Sequence, residues 1–180
     1  MKRQAEITRK SLLAAARDIV AQHGAINFTL EAVAQKAGVS KGALLHHFPT
    51  KKSLVEAMVR DLVEQFQNTC NALAANDPDP RGRSARAYVR AIAAQTKDEY
   101  EQFAAMSVAF VSDMSLMHIW RIGVAAALQA DATETDDPTD TMIVRLAADG
   151  IWTSDLYGTY GFESSRRKKI LDKLIGMTRS

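Results

Sequence analysis

Apolar residues recur at three- and four-residue spacing along almost the whole chain, and that period predicts helices. Leu12, Leu13, Ala16, Ile19 and Val20 share one face of a first helix over about 5–23, with Gly24 placed to end it. Thr29 is a good cap for a short second helix whose inward residues are Leu30, Val33, Ala34 and Ala37, and Glu31 in its first turn suits the helix dipole. Gly38 permits a sharp turn, and Ser40 caps a two-turn third helix that Pro49 stops. Thr50 caps a much longer fourth helix running to about residue 75, with Leu54, Met58, Leu62, Phe66, Cys70 and Leu73 along one stripe.

NDPDPRGR, residues 76–83, reads as a linker: two prolines, a glycine and no apolar residue. Helical patterns follow at about 84–96, 98–112, 114–130, 138–160 and 163–178, with the acidic break TETDDP at 133–138. Sustained two-residue alternation and Asn-Gly turns are missing, so no sheet is expected. The predicted fold is all-α, with a three-helix head at 1–49 joined by a long helix, 50–75, to a larger helical body within 50–180.

Composition adds a partner. The chain has 180 residues, 47% of them hydrophobic, enough to bury a real core. Nothing approaches the roughly 18–20 apolar residues of a membrane span, and the opening MKRQAEITRK has no secretory apolar stretch, so a cytoplasmic location is expected. Net charge is only +2, but residues 1–60 carry ten Lys or Arg against four Asp or Glu, while 61–180 carry thirteen against seventeen. A basic head on an acidic remainder is the footprint of nucleic-acid binding. The lone Cys70 cannot form an internal disulfide; its place in the stripe suits core packing or a ligand contact.

The stretch VSKGALLHHFPTKKSL, residues 39–54, carries the chemistry. Two short helices with a glycine turn, stacked on a third, make a helix-turn-helix. Val39, Leu44 and Phe48 point inward, which leaves Lys41, Gly42 and Ala43 in the turn that would enter a major groove just after Ser40, and Leu45 and His46 beyond it. Small residues at 42 and 43 allow close approach, Lys41 can donate to guanine or phosphate, and Leu45 can cover a thymine methyl. Thr29, His47, Lys51 and Lys52 are placed to grip phosphates. The plainer alternative is a solvated, charged helix face. Adjacent His46 and His47 diverge by about 100°, so they do not share a metal, and no metal or cofactor is expected.

The run FTLEAVAQKAGVSKGALLHHFPTKKSLVEAM, residues 28–58, resembles the signature of TetR-type transcriptional regulators: F-T, an apolar-x-x-A-x-x-A-G-V-S helix-turn-helix, Gly in the recognition helix, H-F, then Lys and Leu in helix four. The resemblance implies a homodimer on a palindromic double-stranded DNA operator, a helical ligand-binding C-terminal body, and repression relieved by a small molecule. Leu45 departs from the family pattern, which usually has Tyr there; the hydroxyl contact is missing and an apolar contact is expected.

The body is rich in Met and aromatic side chains. Tyr88, Phe103, Met106, Phe110, Met114, Met117 and Trp120 pack as core or, as the resemblance suggests, line an adaptable apolar cavity bordered by Leu62, Phe66 and Cys70. In AADGIWTSDLYG, Asp149, Trp152 and Asp155, with Tyr157, are candidate specificity handles, although Arg145 and Asp149 are four apart and suit a plain surface pair. Met142, Leu146 and 151–156 with Ile170, Leu171, Leu174, Ile175 and Met177 either build a four-helix bundle across a two-fold axis, from about 138–160 and 163–178, or close the monomer core. RRKK at 166–169 reads as a solvated helix start.

Three functions compete: a ligand-responsive DNA-binding regulator, an architectural DNA-binding protein whose body only dimerises, and an enzyme. The last has no phosphate loop, HExxH or dinucleotide fingerprint to support it, and His118 is alone in the body.

Overall fold

The structure, a computed structural model, describes residues 2–24 and 27–179; Met1 and Ser180, the outer ends of the two expected domains, lie outside the described residues, as do Ala25 and Ile26. The described elements are helical: α1 (Lys2–His23), α2 (Leu30–Lys36), α3 (Lys41–His47), α4 (Lys51–Ala75), α5 (Arg83–Ala94), α6 (Lys97–Ser112), a 3-10 turn (Met114–Leu116), α7 (Met117–Glu134), α8 (Thr139–Tyr157) and α9 (Ser164–Met177). Local chemistry sets the ends. Thr29 Oγ1 accepts the Ala32 N–H at 3.1 Å, and Ser40 Oγ accepts that of Ala43 at 3.1 Å. Thr50 and Ser53 cap each other reciprocally, Ser53 N donating to Thr50 Oγ1 at 3.0 Å and Thr50 N to Ser53 Oγ at 3.1 Å. Between α2 and α3, Gly38 takes φ +69°, and the Val39 N–H closes back on the Ala34 carbonyl at 3.0 Å, a turn that needs a residue without a side chain.

The helix expected from 114 begins differently. Asp113 has extended backbone and its carboxylate accepts the Ser115 N–H at 2.9 Å, so the chain makes a 3-10 turn before α7 starts at Met117.

Packing groups the chain into two compact units, residues 1–63 with 97–120 and residues 64–96 with 121–180, a division by contact rather than by role. In the first, Leu12, Ala16, Val33, Leu44, Leu54 and Val59 are fully buried, and α6 packs on α1, burying Phe103 and Met106. In the second, α5, α8 and α9 enclose Ala85, Val89, Ile92, Val144, Ala148, Ile151, Leu171 and Leu174. Among the described residues no helix is long and apolar enough to cross a membrane.

The segment 76–83, which has the composition of a free linker, is tied down within the second unit. Asp77 is buried, and its Oδ2 accepts from Arg86 Nε at 2.9 Å and Arg90 Nη1 at 2.7 Å. Arg86, itself fully buried, also donates to the carbonyls of Asp79 (2.6 Å) and Arg81 (2.5 Å) and to Thr178 Oγ1 (3.2 Å) after α9. Gly82 completes this knot. It has φ +63°, and a Cβ there would stand 2.5 Å from the Thr178 carbonyl oxygen.

Candidate nucleic-acid interface

The helix-turn-helix presents the predicted reader as an open surface. Thr29, Ser40, Lys41, Gly42, His46 and Lys52 are exposed, Ala43, Leu45, His47 and Lys51 are half-buried, and Leu44 and Phe48 anchor α3 from beneath. The Thr29 and Ser40 oxygens are spent on capping N–H groups, but each hydroxyl keeps its proton to donate outward. Gly42 stands at the tip. A Cβ there would meet only Ser40 Oγ, at 3.9 Å, so nothing inside the chain requires a glycine.

The cations of this face are positioned by partners that the sequence pattern does not announce. Lys41 pairs with the Glu31 carboxylate, whose pKa this bond lowers, the Lys41 charge adding to it. Lys52 Nζ lies 2.8 Å from Asp113 Oδ2 and donates to Ser115 Oγ at 3.3 Å. Lys51 Nζ stands 4.4 Å above the Phe28 ring, and the Arg9 guanidinium lies 5.6 Å from the centre of Phe48. His46 and His47 meet edge to face, with centroids 5.6 Å apart. Among the described residues no group of three His, Cys, Asp or Glu side chains is placed to hold a metal ion.

The predicted ligand residues fall into two groups, each within its own unit. In the first, Leu62 and Met106 line a crevice with Arg17, Val20, Met58 and Gln102 whose volume, about 10 Å³, has room for roughly one water. Phe103 and Trp120 meet edge to face at 6.3 Å; Phe110 and Met117 are half-buried, and Met114 is 66% exposed.

In the second unit Phe66 packs edge to face on Tyr88 at 5.5 Å, and Trp152 lies against the same core. The Tyr88 hydroxyl donates to Asp149, and the Arg145 guanidinium stacks 5.0 Å from the Tyr88 ring centre. Burial is the main reason that the Tyr88 phenol is pushed far up, and desolvation also raises Asp149 despite the Tyr88 bond. The Cys70 thiol, also desolvated, is pushed up to about 11. Arg145 does not pair with Asp149 as the helical spacing suggests. It reaches Asp131 on α7 through two bonds of 2.6 and 2.9 Å, and Ser84 at 2.9 Å. Asp155 is taken by Arg167 at 2.7 Å.

Of the residues considered for a two-fold bundle, Ile151, Leu171 and Leu174 are buried in the unit's own core. Met142, Ile143, Leu146 and Tyr157 of α8 are exposed, Leu146 at 63% and Tyr157 at 69%.

Comparison with known proteins gives two family matches that between them cover most of the chain. The model for bacterial regulatory proteins of the tetR family matches residues 12–58, and that for the tetracyclin repressor-like C-terminal domain matches 82–179. The HTH-type transcriptional regulator BetI of Klebsiella pneumoniae is 36% identical over 62 residues, 34% of this chain, and the match spans about a third (32%) of that relative. Over most of the length the likeness is one of fold. A transcriptional regulator from Rhodococcus sp. Rha1 superposes with a TM-score of 0.74 at 24% identity, covering 94% of this chain and 95% of the other. The multidrug binding protein EbrR, complexed with malachite green, superposes with a TM-score of 0.70 at 22% identity, covering 92% and 96%.

Proposed function

The chain belongs to the TetR family of bacterial transcriptional regulators, DNA-binding proteins rather than enzymes, and on that premise we propose a homodimeric repressor that leaves its operator when a small molecule binds its body. In this reading residues 1–49 read DNA, while 50–180 dimerise and hold the effector. Thr29, Ser40, His47, Lys51 and Lys52 hold phosphates; Lys41, Gly42, Ala43, Leu45 and His46 face base edges.

Gly42 is the observation that carries the DNA reading. A glycine in a helix costs up to about 1 kcal/mol relative to alanine, and here no packing inside the chain repays it. Its smallness is useful to something outside, approaching the first turn of α3 as closely as a base pair would.

What supports a dimer is the exposed apolar face of α8, Met142, Ile143, Leu146 and Tyr157, since α9 turns Leu171 and Leu174 to its own unit. Two heads related by a two-fold axis would read half-sites about one helical turn, roughly 34–36 Å, apart. The effector reading rests on Phe66, Cys70, Tyr88, Asp149 and Trp152, aromatic and sulfur surface around a few polar atoms. An effector releases DNA only by favouring a conformation with the wrong half-site spacing, and α4, which carries Lys51 and Lys52 at one end and Phe66 and Cys70 further along, is the proposed lever.

Sequencing duplexes retained from a random pool by the purified protein tests this reading. An inverted repeat with half-sites one turn apart is expected, and malachite green, the dye bound by EbrR, is a first probe for release. Retention without sequence preference, with a steep salt dependence and no small-molecule effect, would instead favour the architectural reading.

A further inference from the structure

Lys52 reaches α4's first turn already engaged. Its ammonium sits 2.8 Å from Asp113 Oδ2 and donates to Ser115 Oγ at 3.3 Å, two groups that follow the end of α6. The acceptor is preformed. Asp113 Oδ1 takes the Ser115 backbone N–H at 2.9 Å, so the carboxylate that caps the 3-10 turn has its second oxygen aimed at the lysine. Asp113 is held down at about 2 by the Lys52 bond and then by Ser115, while Lys52 is raised by Asp113, with Glu56 one turn along α4 adding a little. A DNA phosphate offers Lys52 what Asp113 offers it: a fixed anionic oxygen within hydrogen-bond reach.

We propose that Asp113, supported by Ser115, is a built-in competitor of the DNA backbone, holding Lys52 in the free protein and giving it up when the head seats on a duplex. This rests on Lys52 being a phosphate contact, as read above. A carboxylate and a phosphate sharing one ammonium would face each other at short range, like charge against like, so Lys52 passes from one to the other. Both side chains are exposed, 57% and 36%, and the exchange is therefore mild: an ion pair of that kind weakens binding by about two- to fivefold. It also mutes the salt response. As Lys52 leaves, Asp113 takes up a cation, which cancels up to about one of the counterions released from DNA.

Asp113→Ser and Asp113→Asn both remove the charge and keep a side-chain oxygen at the cap. Fluorescence anisotropy over a salt series should show each variant binding specific and scrambled duplexes about two- to fivefold more tightly, with a salt slope steeper by up to about one. Neither change should appear in a Lys52→Ala background. Unchanged affinity and slope in either variant that retains the parent's circular dichroism overturns the proposal, and so does a gain that survives without Lys52, which would mean only that a negative charge had been cleared from the path of DNA. If the parent protein binds no duplex at all, the underlying reading of the head fails and takes this one with it.

Discussion

The proposed reader and the second unit use ion pairs in opposite ways. Lys41–Glu31 and Lys52–Asp113 lie in the open, their side chains between 36% and 59% exposed, whereas Arg86–Asp77 is sealed at 0% and 1%. Water screens the first kind, so forming or breaking one costs little and an outside anion can replace the carboxylate. The second kind has no such freedom. Removing one member strands the other in low dielectric, and the remaining hydrogen bonds of Arg86 to Asp79, Arg81 and Thr178 only sharpen the demand for Asp77. Exposed pairs can therefore be traded for a ligand, and buried ones hold a fold.

The sharpest way to break that contrast is Asp77→Ala, for which denaturant unfolding should show a loss of about 3–5 kcal/mol. The Arg86 bond holds the Asp77 carboxyl well below the usual range, so its contribution is present above about pH 4 and is lost as pH falls through the lowered value. The gap between parent and variant should thus be constant from pH 5 to 8 and narrow only in acid. A loss below about 1 kcal/mol would put this pair with the exchangeable ones.

Gly82→Ala attacks the same knot through the backbone. Positive φ alone costs an alanine about 1–3 kcal/mol, and the Thr178 carbonyl 2.5 Å from its Cβ adds to that, so the melting temperature should fall clearly. In the head the expectation reverses. Lys41→Ala should leave stability within about 0.5 kcal/mol while weakening operator binding by about 1–3 kcal/mol and relaxing preference at one base pair, which a panel of single-substituted duplexes would read. Gly42→Ala should stabilise the fold by up to about 1 kcal/mol and still weaken DNA binding; tighter binding would count against close approach at α3. Apart from these energies stands a chemical contrast at Cys70. With its thiol pushed up to about 11 from an ordinary value near 9.0, less of it is thiolate, and alkylation at pH 8 should run about tenfold slower in the folded protein than in the unfolded chain, the greater basicity of the thiolate offsetting part of the loss.

Elements set by local chemistry were legible from the sequence. Thr29, Ser40 and Thr50 bond to groups within three residues, and Gly38 acts on its own backbone, so a reading of neighbours places α2, α3 and the start of α4. The knot was not legible, because segment 76–83 has the composition of a loop and the group that closes it, Thr178, lies almost a hundred residues on. Arg145 shows the same limit on a helix: four-residue spacing nominates Asp149, but the side chain leans to Asp131 on another element. Asp113 gave no sign of belonging with the proposed reader, since its partner Lys52 lies about sixty residues back along the chain.

The tethering of 76–83 also bears on how the chain can be divided. Its prolines, acids and exposed arginines at 81 and 83 would draw a protease or anyone designing fragments to that point. Yet a nick there would have to pull Asp79 and Arg81 carbonyls off a sealed guanidinium. Trypsin should spare this seam in the intact protein and cut it in Asp77→Ala, and fragments made by cloning across it would each inherit a frayed, charge-bearing edge.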